Sequence, residues 1–192
     1  VVQYSVYSML CSGRVNCARN PSVCEDMSVS RYPSVAVFKA GGGHEVFHGT
    51  VTALAVAQFA RESARATNIR TLSPQLFPQL VTQGADGSSA WFVDFYAPWC
   101  PPCMKLLPEL RKASEMFDTV VRFGTVDCTI HSALCRQHNV QSYPTTVLFN
   151  VSQPSQLFRG EHTASSIIDF IQDIINPQVV KLTEETFYTS VG

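Results

Sequence analysis

The chain has 192 residues, 45% hydrophobic and 15% charged, with a formal net charge of −1 and seven cysteines. That balance describes a soluble globular protein with one full core and a piece of another. Near-zero charge without basic clusters excludes an electrostatic nucleic-acid binder. No transmembrane run, signal peptide or C-terminal retention tetrapeptide is read, as expected of an internal fragment of a longer protein.

In chain order, the opening third holds Cys11, then Cys17 and Cys24, which bracket a short loop. Tyr32-Pro33 leads into Pro33-Ser34-Val35-Ala36-Val37-Phe38-Lys39. Gly41-Gly42-Gly43 reads as a hairpin turn, not a phosphate loop, because a strand-like segment follows it and a helix does not. A helical pattern runs from Ala53 to about Ala64. His44, His48, His131, His138 and His162 are scattered without metal-ligand spacing, so all five are expected on the surface or in loops, with no metal site.

Residues 91–96 form a near-continuous apolar run, as in a strand buried on both faces, and Asp94 is its one charge. A carboxylate there is poorly solvated, so its pKa should rise toward neutrality. Trp91 is expected in the core. Ala97-Pro98-Trp99-Cys100-Pro101-Pro102-Cys103 follows directly. Cys100 then opens a helix, where unpaired N–H groups favour a thiolate, and Cys103 lies one turn further in. Prolines suit that first turn, since their missing N–H costs nothing there. The helix should reach Phe117, with Leu106, Leu110, Ala113 and Phe117 on its apolar stripe and Lys105, Glu109, Arg111 and Lys112 between them. Pro108 should kink it. Strands are expected at 121–127, 145–149 and 156–159, and a last helix from about Ser165 to Ile175.

A shift of 111 carries Gly13 to Gly124, Cys17 to Cys128, Cys24 to Cys135, Tyr32-Pro33 to Tyr143-Pro144, Phe38 to Phe149, Gly49 to Gly160 and Phe59 to Phe170. A shift of 110 carries Leu72 and Phe77 to Leu182 and Phe187. This internal repeat divides the chain into the rear part of one module at 1–67, a complete module at 68–177 and the opening of a third at 178–192. The position matching Cys100 in the first module precedes residue 1. Lacking its opening strands, that module should expose apolar surface.

A lone CxxC also reads as half a zinc site. Here Asp94, Ala97-Pro98-Trp99-Cys100-x-x-Cys103, Pro108 and Tyr143-Pro144-Thr145 occur together, and residues 69–176 resemble one thioredoxin-type domain of the protein disulfide isomerase family. The resemblance implies an α/β thioredoxin-like fold in tandem modules, and thiol–disulfide exchange without a cofactor. Cys100 would be the nucleophile, Cys103 the resolving thiol and Asp94 its proton relay. Trp99, Tyr143 and Pro144 would line the substrate groove. Within the family, Cys-Pro-Pro-Cys and Asp127-Cys128-Thr129-x-His131…Cys135 resemble the endoplasmic-reticulum reductase type that joins a DnaJ domain to a string of thioredoxin modules. That type implies misfolded disulfide-bearing substrates and a lumenal Hsp70 chaperone, recruited through a DnaJ domain outside this chain.

Oxidase-like members carry an arginine six residues after the Tyr-Pro proline, where this chain has Asn150, and Gly-His where it has Pro101-Pro102. Both departures favour a reductase, with isomerase, oxidase or a non-catalytic peptide-binding module as alternatives. Cys17 with Cys24, and Cys128 with Cys135, are expected to form structural disulfides worth ~2–3 kcal/mol each. Reduced buried thiols are the alternative. Cys11 is left over, either buried or paired outside the chain. Such bridges, with the glycosylation sequon Asn150-Val151-Ser152, point to the endoplasmic reticulum lumen.

Overall fold

The structure is a computed structural model and describes residues 13–27, 29–39, 43–88, 90–117, 120–151 and 153–176. Cys11 and the stretch 178–192 lie outside the described residues. The elements in order are α1 (Pro21–Asp26), β1 (Ala36–Phe38), β2 (His44–Val46), α2 (Ala53–Arg65) and β3 (Ile69–Thr71). A π-helical turn (Pro78–Thr82) precedes β4 (Ala90–Tyr96), α3 (Pro101–Ser114), β5 (Val121–Asp127) and α4 (Ser132–Gln137). The chain then forms β6 (Thr145–Asn150), β7 (Gln153–Leu157) and α5 (Ala164–Ile175).

Every residue of β4 is buried, so this strand takes the middle of a five-stranded sheet ordered β3-β5-β4-β6-β7. It runs parallel to β5 and antiparallel to β6. Side chains alternate between its faces. Ala90 and Phe92 pack with Leu106, Leu107 and Leu110 of α3 and with Ile167 and Ile171 of α5. Trp91, Val93 and Phe95 pack on the other face with Phe77, Val81, Leu134 and Cys135. Gly124 in β5 is required by close approach: a Cβ there would lie 2.4 Å from Leu72 Cδ1. The edge strand β7 is exposed along its length and contains Pro154, and its pairing with β6 shifts register between Leu148 and Asn150.

The repeat recurs in space. Both Tyr32-Pro33 and Tyr143-Pro144 are cis. Cys17 is bonded to Cys24 and Cys128 to Cys135, with Cα–Cα distances of 5.7 and 5.8 Å. The α2 helix is capped by Thr52, whose hydroxyl accepts from the Ala55 N–H, and α5 by Thr163, which accepts from the Ser166 N–H. Each cap satisfies a donor the helix itself cannot pair. The β1–β2 pair stands apart as a two-stranded antiparallel sheet whose turn ends at Gly43, φ +84°.

Four expectations are corrected. The α3 helix ends at Ser114, because Met116 bonds to Ala113 and Phe117 to Ser114 in the tighter i→i−3 pattern. Phe117 still packs on the core. The last strand starts at Gln153, since the tight turn pairs Gln153 directly with Asn150. His44 is in no loop: it lies within β2, 5% exposed, with its ring against Phe38. Arg111 belongs to no solvated face, because Glu45 of β2 closes over it and leaves it 7% exposed.

Candidate active site

The β4 strand delivers the chain through Ala97-Pro98-Trp99 to the start of α3. Cys100 is the N-cap residue of that helix, with extended φ and ψ of −88° and 111°. A helix normally presents four unpaired N–H groups at this end. Pro101 and Pro102 have none, and the Met104 N–H goes back to the Cys100 carbonyl at 3.1 Å. The Cys103 N–H remains, and it donates to the Cys100 sulfur at 3.3 Å. The two cysteines are joined as a disulfide with Cα atoms 5.3 Å apart. In the reduced protein the same N–H, with the helix dipole behind it, faces a Cys100 thiolate.

Both cysteines are buried residues, Cys103 the more completely. Cys100 is 4% exposed and Cys103 fully buried, and both pack with Tyr96, Ala97, Met104 and Tyr143. Beside them Trp99 stands 72% exposed, its ring 6.0 Å from that of Tyr143 and nearly perpendicular to it. Pro144 follows Tyr143 across the cis bond and is half-buried. Trp99, Tyr143 and Pro144 are therefore gathered at the thiol end of the sheet, although more than forty residues separate them in sequence.

Asp94 is wholly buried, and neither carboxyl oxygen has a hydrogen-bond partner among the described residues. Strand alternation puts it on the α3 face, between Phe92, which packs on α3, and Tyr96, which packs on the two cysteines. Its register neighbours are Thr125 and Thr146. Burial raises its pKa well above the ordinary carboxylate range. A group with a raised folded-state pKa favours the protonated folded form, so stability falls as pH rises from about 4 through the raised value. Replacing Asp94 with Asn should therefore stabilise the protein at pH 7–8, with the gain vanishing near pH 4, as urea unfolding at several pH values would measure.

Two groups near the site escaped sequence reasoning. Tyr96, 2% exposed, places its hydroxyl 2.5 Å from Nε2 of His48, which lies just beyond β2. Behind α3, Arg111 Nε meets Glu45 Oε1 at 3.0 Å, and Lys39 Nζ meets Glu45 Oε2 at 2.8 Å. Ser63 donates to the same carboxylate, and Glu62 reaches the Arg111 guanidinium at 3.4 Å. Burial alone would raise the Glu45 pKa, but the Arg111 and Lys39 charges and the hydrogen bonds outweigh it and hold it low. The one sequence signal was a carboxylate inside an apolar hairpin.

The remaining predicted positions lie elsewhere. The Cys17–Cys24 and Cys128–Cys135 bridges brace the starts of α1 and α4, away from the Cys100–Cys103 cluster. Asn150 ends β6, half-buried, at the turn into β7, and Ser152 of its sequon is outside the described residues. Among the described residues no cluster of histidine, cysteine or carboxylate side chains could hold a metal ion.

Comparison with known proteins agrees with this geometry. The chain is 45% identical over 177 residues to DnaJ homolog subfamily C member 10 of Homo sapiens, covering 91% of the chain and 21% of that protein. It is 39% identical over 100 residues to protein disulfide-isomerase A6 of Mesocricetus auratus, covering 51% and 22%. The crystal structure of full-length ERdj5 matches 92% of this chain and 25% of its own, with 44% identity and a TM-score of 0.77. The chain thus spans about a fifth of the length of the curated relatives it matches. The thioredoxin family model matches residues 68–173, which is more than half the chain and includes β4, both cysteines of the exchange motif and the cis-proline loop. With its sheet order, its capped dithiol and this match, the chain belongs to the thioredoxin family.

Proposed function

We propose that this chain is the catalytic part of a protein disulfide reductase. The observation that carries the reading is the Cys100 sulfur at the N-cap of α3, facing the one N–H that two prolines leave free. The reduced Cys100 thiolate attacks a substrate disulfide, forming a mixed disulfide and releasing one substrate thiolate, which takes a proton from solvent. The Cys103 thiol passes its proton to the Asp94 carboxylate and attacks the Cys100 sulfur. The second substrate sulfur then leaves as a thiolate, the proton held by Asp94 returns to it through solvent, and the Cys100–Cys103 disulfide closes, two electrons having moved to the substrate. Trp99, Tyr143 and Pro144 hold the substrate backbone. In this scheme Asp94→Asn slows release of the second thiol by about 10²-fold or more, which rapid-quench counting of mixed disulfides would reveal.

The direction of electron flow is tested by the reduction potential of the Cys100/Cys103 pair, equilibrated with glutathione. A value of about −200 mV or lower is expected. A value near −120 mV, typical of a strong disulfide donor, would overturn the reductase reading and leave an oxidase or isomerase.

The chain is further read as 1–67, the rear of a module without a visible CxxC, then 68–177, the catalytic module, then 178–192, the start of another. Its setting is the endoplasmic reticulum lumen, its substrates are misfolded proteins with non-native disulfides, and a lumenal Hsp70 chaperone is reached through a DnaJ domain outside this chain. The similarity to a DnaJ homolog over 91% of the chain supports this setting. Asn150, half-buried at the turn from β6 into β7, carries the N-glycan. Expressed in a secretory host, the protein should lose mass with peptide N-glycosidase F, whereas Asn150→Gln should show no shift.

A further inference from the structure

The exchange site is completed from outside its own module. We propose that His48, from the segment before the CxxC module, is a positioning residue that holds Tyr96, and through it the strand end and cysteine pair, in the reactive arrangement. The inference rests on the reductase reading of Cys100 and Cys103.

Tyr96 is the last residue of β4, four positions before Cys100, and its ring packs in the same cluster as Cys100, Cys103 and Ala97. Its carbonyl accepts from the Cys128 N–H at 2.9 Å, and the Ala97 carbonyl accepts from the Cys100 N–H at 3.0 Å. The backbone on either side of the ring is therefore tied to the sheet and to the nucleophile. The hydroxyl is the part left to place. At 2% exposure it has little access to water, and a buried hydroxyl without a partner is costly. His48 Nε2 supplies that partner at 2.5 Å, with the imidazole edge-on to the phenol at 5.1 Å.

The protonation states agree with a pair neutral on both sides. Burial, with Asp127 and Asp94 nearby, pushes the Tyr96 phenol well above its ordinary pKa, so it keeps its proton. Burial, with the charges of Arg31 and Arg111, pushes His48 down to about 4. Tyr96 and a neutral imidazole thus share one hydrogen bond. His48 is in turn placed by β2, which Glu45 anchors to Arg111 of α3. Two independent contacts, one to α3 and one to the end of β4, fix the preceding segment to the two elements that carry the exchange motif. The Tyr96 hydroxyl is turned to His48, so its effect reaches the thiols through the strand end that carries them.

The test uses the full chain, with insulin as the disulfide substrate and dithiothreitol as regenerating reductant. His48→Leu and Tyr96→Phe should each lower kcat about tenfold while KM stays within about twofold. The double variant should be no slower than either single one, because both remove one hydrogen bond. His48→Gln, whose amide can donate or accept, should recover most of the rate. Circular dichroism checks that each variant is folded, and Tyr96→Phe keeps the ring should His48→Leu not fold. Wild-type kcat in both single variants, or losses that multiply in the double variant, would overturn the inference. A wild-type chain that does not reduce insulin, with the variants equally inert, would overturn the reductase reading, and this inference with it.

Discussion

Replacing Cys103 with Ala is expected to convert the protein from a turnover catalyst into a trap. Cys100 keeps its place at the N-cap of α3, so attack on a substrate disulfide proceeds and the mixed disulfide accumulates. The resolving thiol one turn into α3 is gone, and recovery waits on thiols from solution, which the burial around the site slows. Non-reducing electrophoresis with mass spectrometry should find substrate attached at Cys100. Replacing Cys100 with Ser should abolish exchange altogether, because a hydroxyl beside the Cys103 N–H is no nucleophile toward sulfur. The asymmetry between the two variants is the informative result. Equal trapping by both would mean that either sulfur can be reached from outside, contrary to the complete burial of Cys103.

The second large effect concerns stability. Glu45 is 3% exposed and serves two buried cations, Lys39 and Arg111. Glu45→Gln removes their counter-charge while both remain out of water, and breaking a buried pair in this way costs about 3–5 kcal/mol. The unfolding midpoint in urea should fall accordingly. The pH dependence has a definite sign. Glu45's folded-state pKa is depressed, so its contribution is fully present above the unfolded carboxylate value and is lost as pH falls through the folded one. The deficit of Glu45→Gln should therefore shrink in acid. Replacing Lys39, Glu45 and Arg111 together with apolar residues of similar volume should recover most of the loss, since desolvation offsets much of a buried pair's attraction. A single substitution as mild as a surface change would mean that the hairpin swings away and hydrates the cluster.

The parts legible in sequence were those governed by near neighbours. A near-continuous apolar run announced β4, the cysteine spacing with two prolines announced the start of α3, and the shift of 111 aligned cysteines that later appear in matching bridges. The missed features join residues far apart. Glu45 and Arg111 are separated by 66 positions and His48 and Tyr96 by 48, and periodicity carries no information about such meetings. Arg111 read as one more charge on a helix surface because what covers it comes from another segment. His44 read as a loop residue because it follows glycines, yet a strand begins at that residue. The gathering of Trp99 against Tyr143 was legible only through family resemblance.

The edge strand β7 bears on how such a sheet avoids unwanted partners. Repeated units with alike strands can exchange partners during synthesis, when a sheet edge of one unit pairs with its neighbour. Pro154 cannot donate to such a ladder, and the register shift opposite it spoils the regular pairing an invading strand would need. The polar face of Gln153 and Gln156 gains little by burial. The edge is thus a poor template for an invading strand, which guards that side of the sheet while the exchange site lies at the other end of the strands.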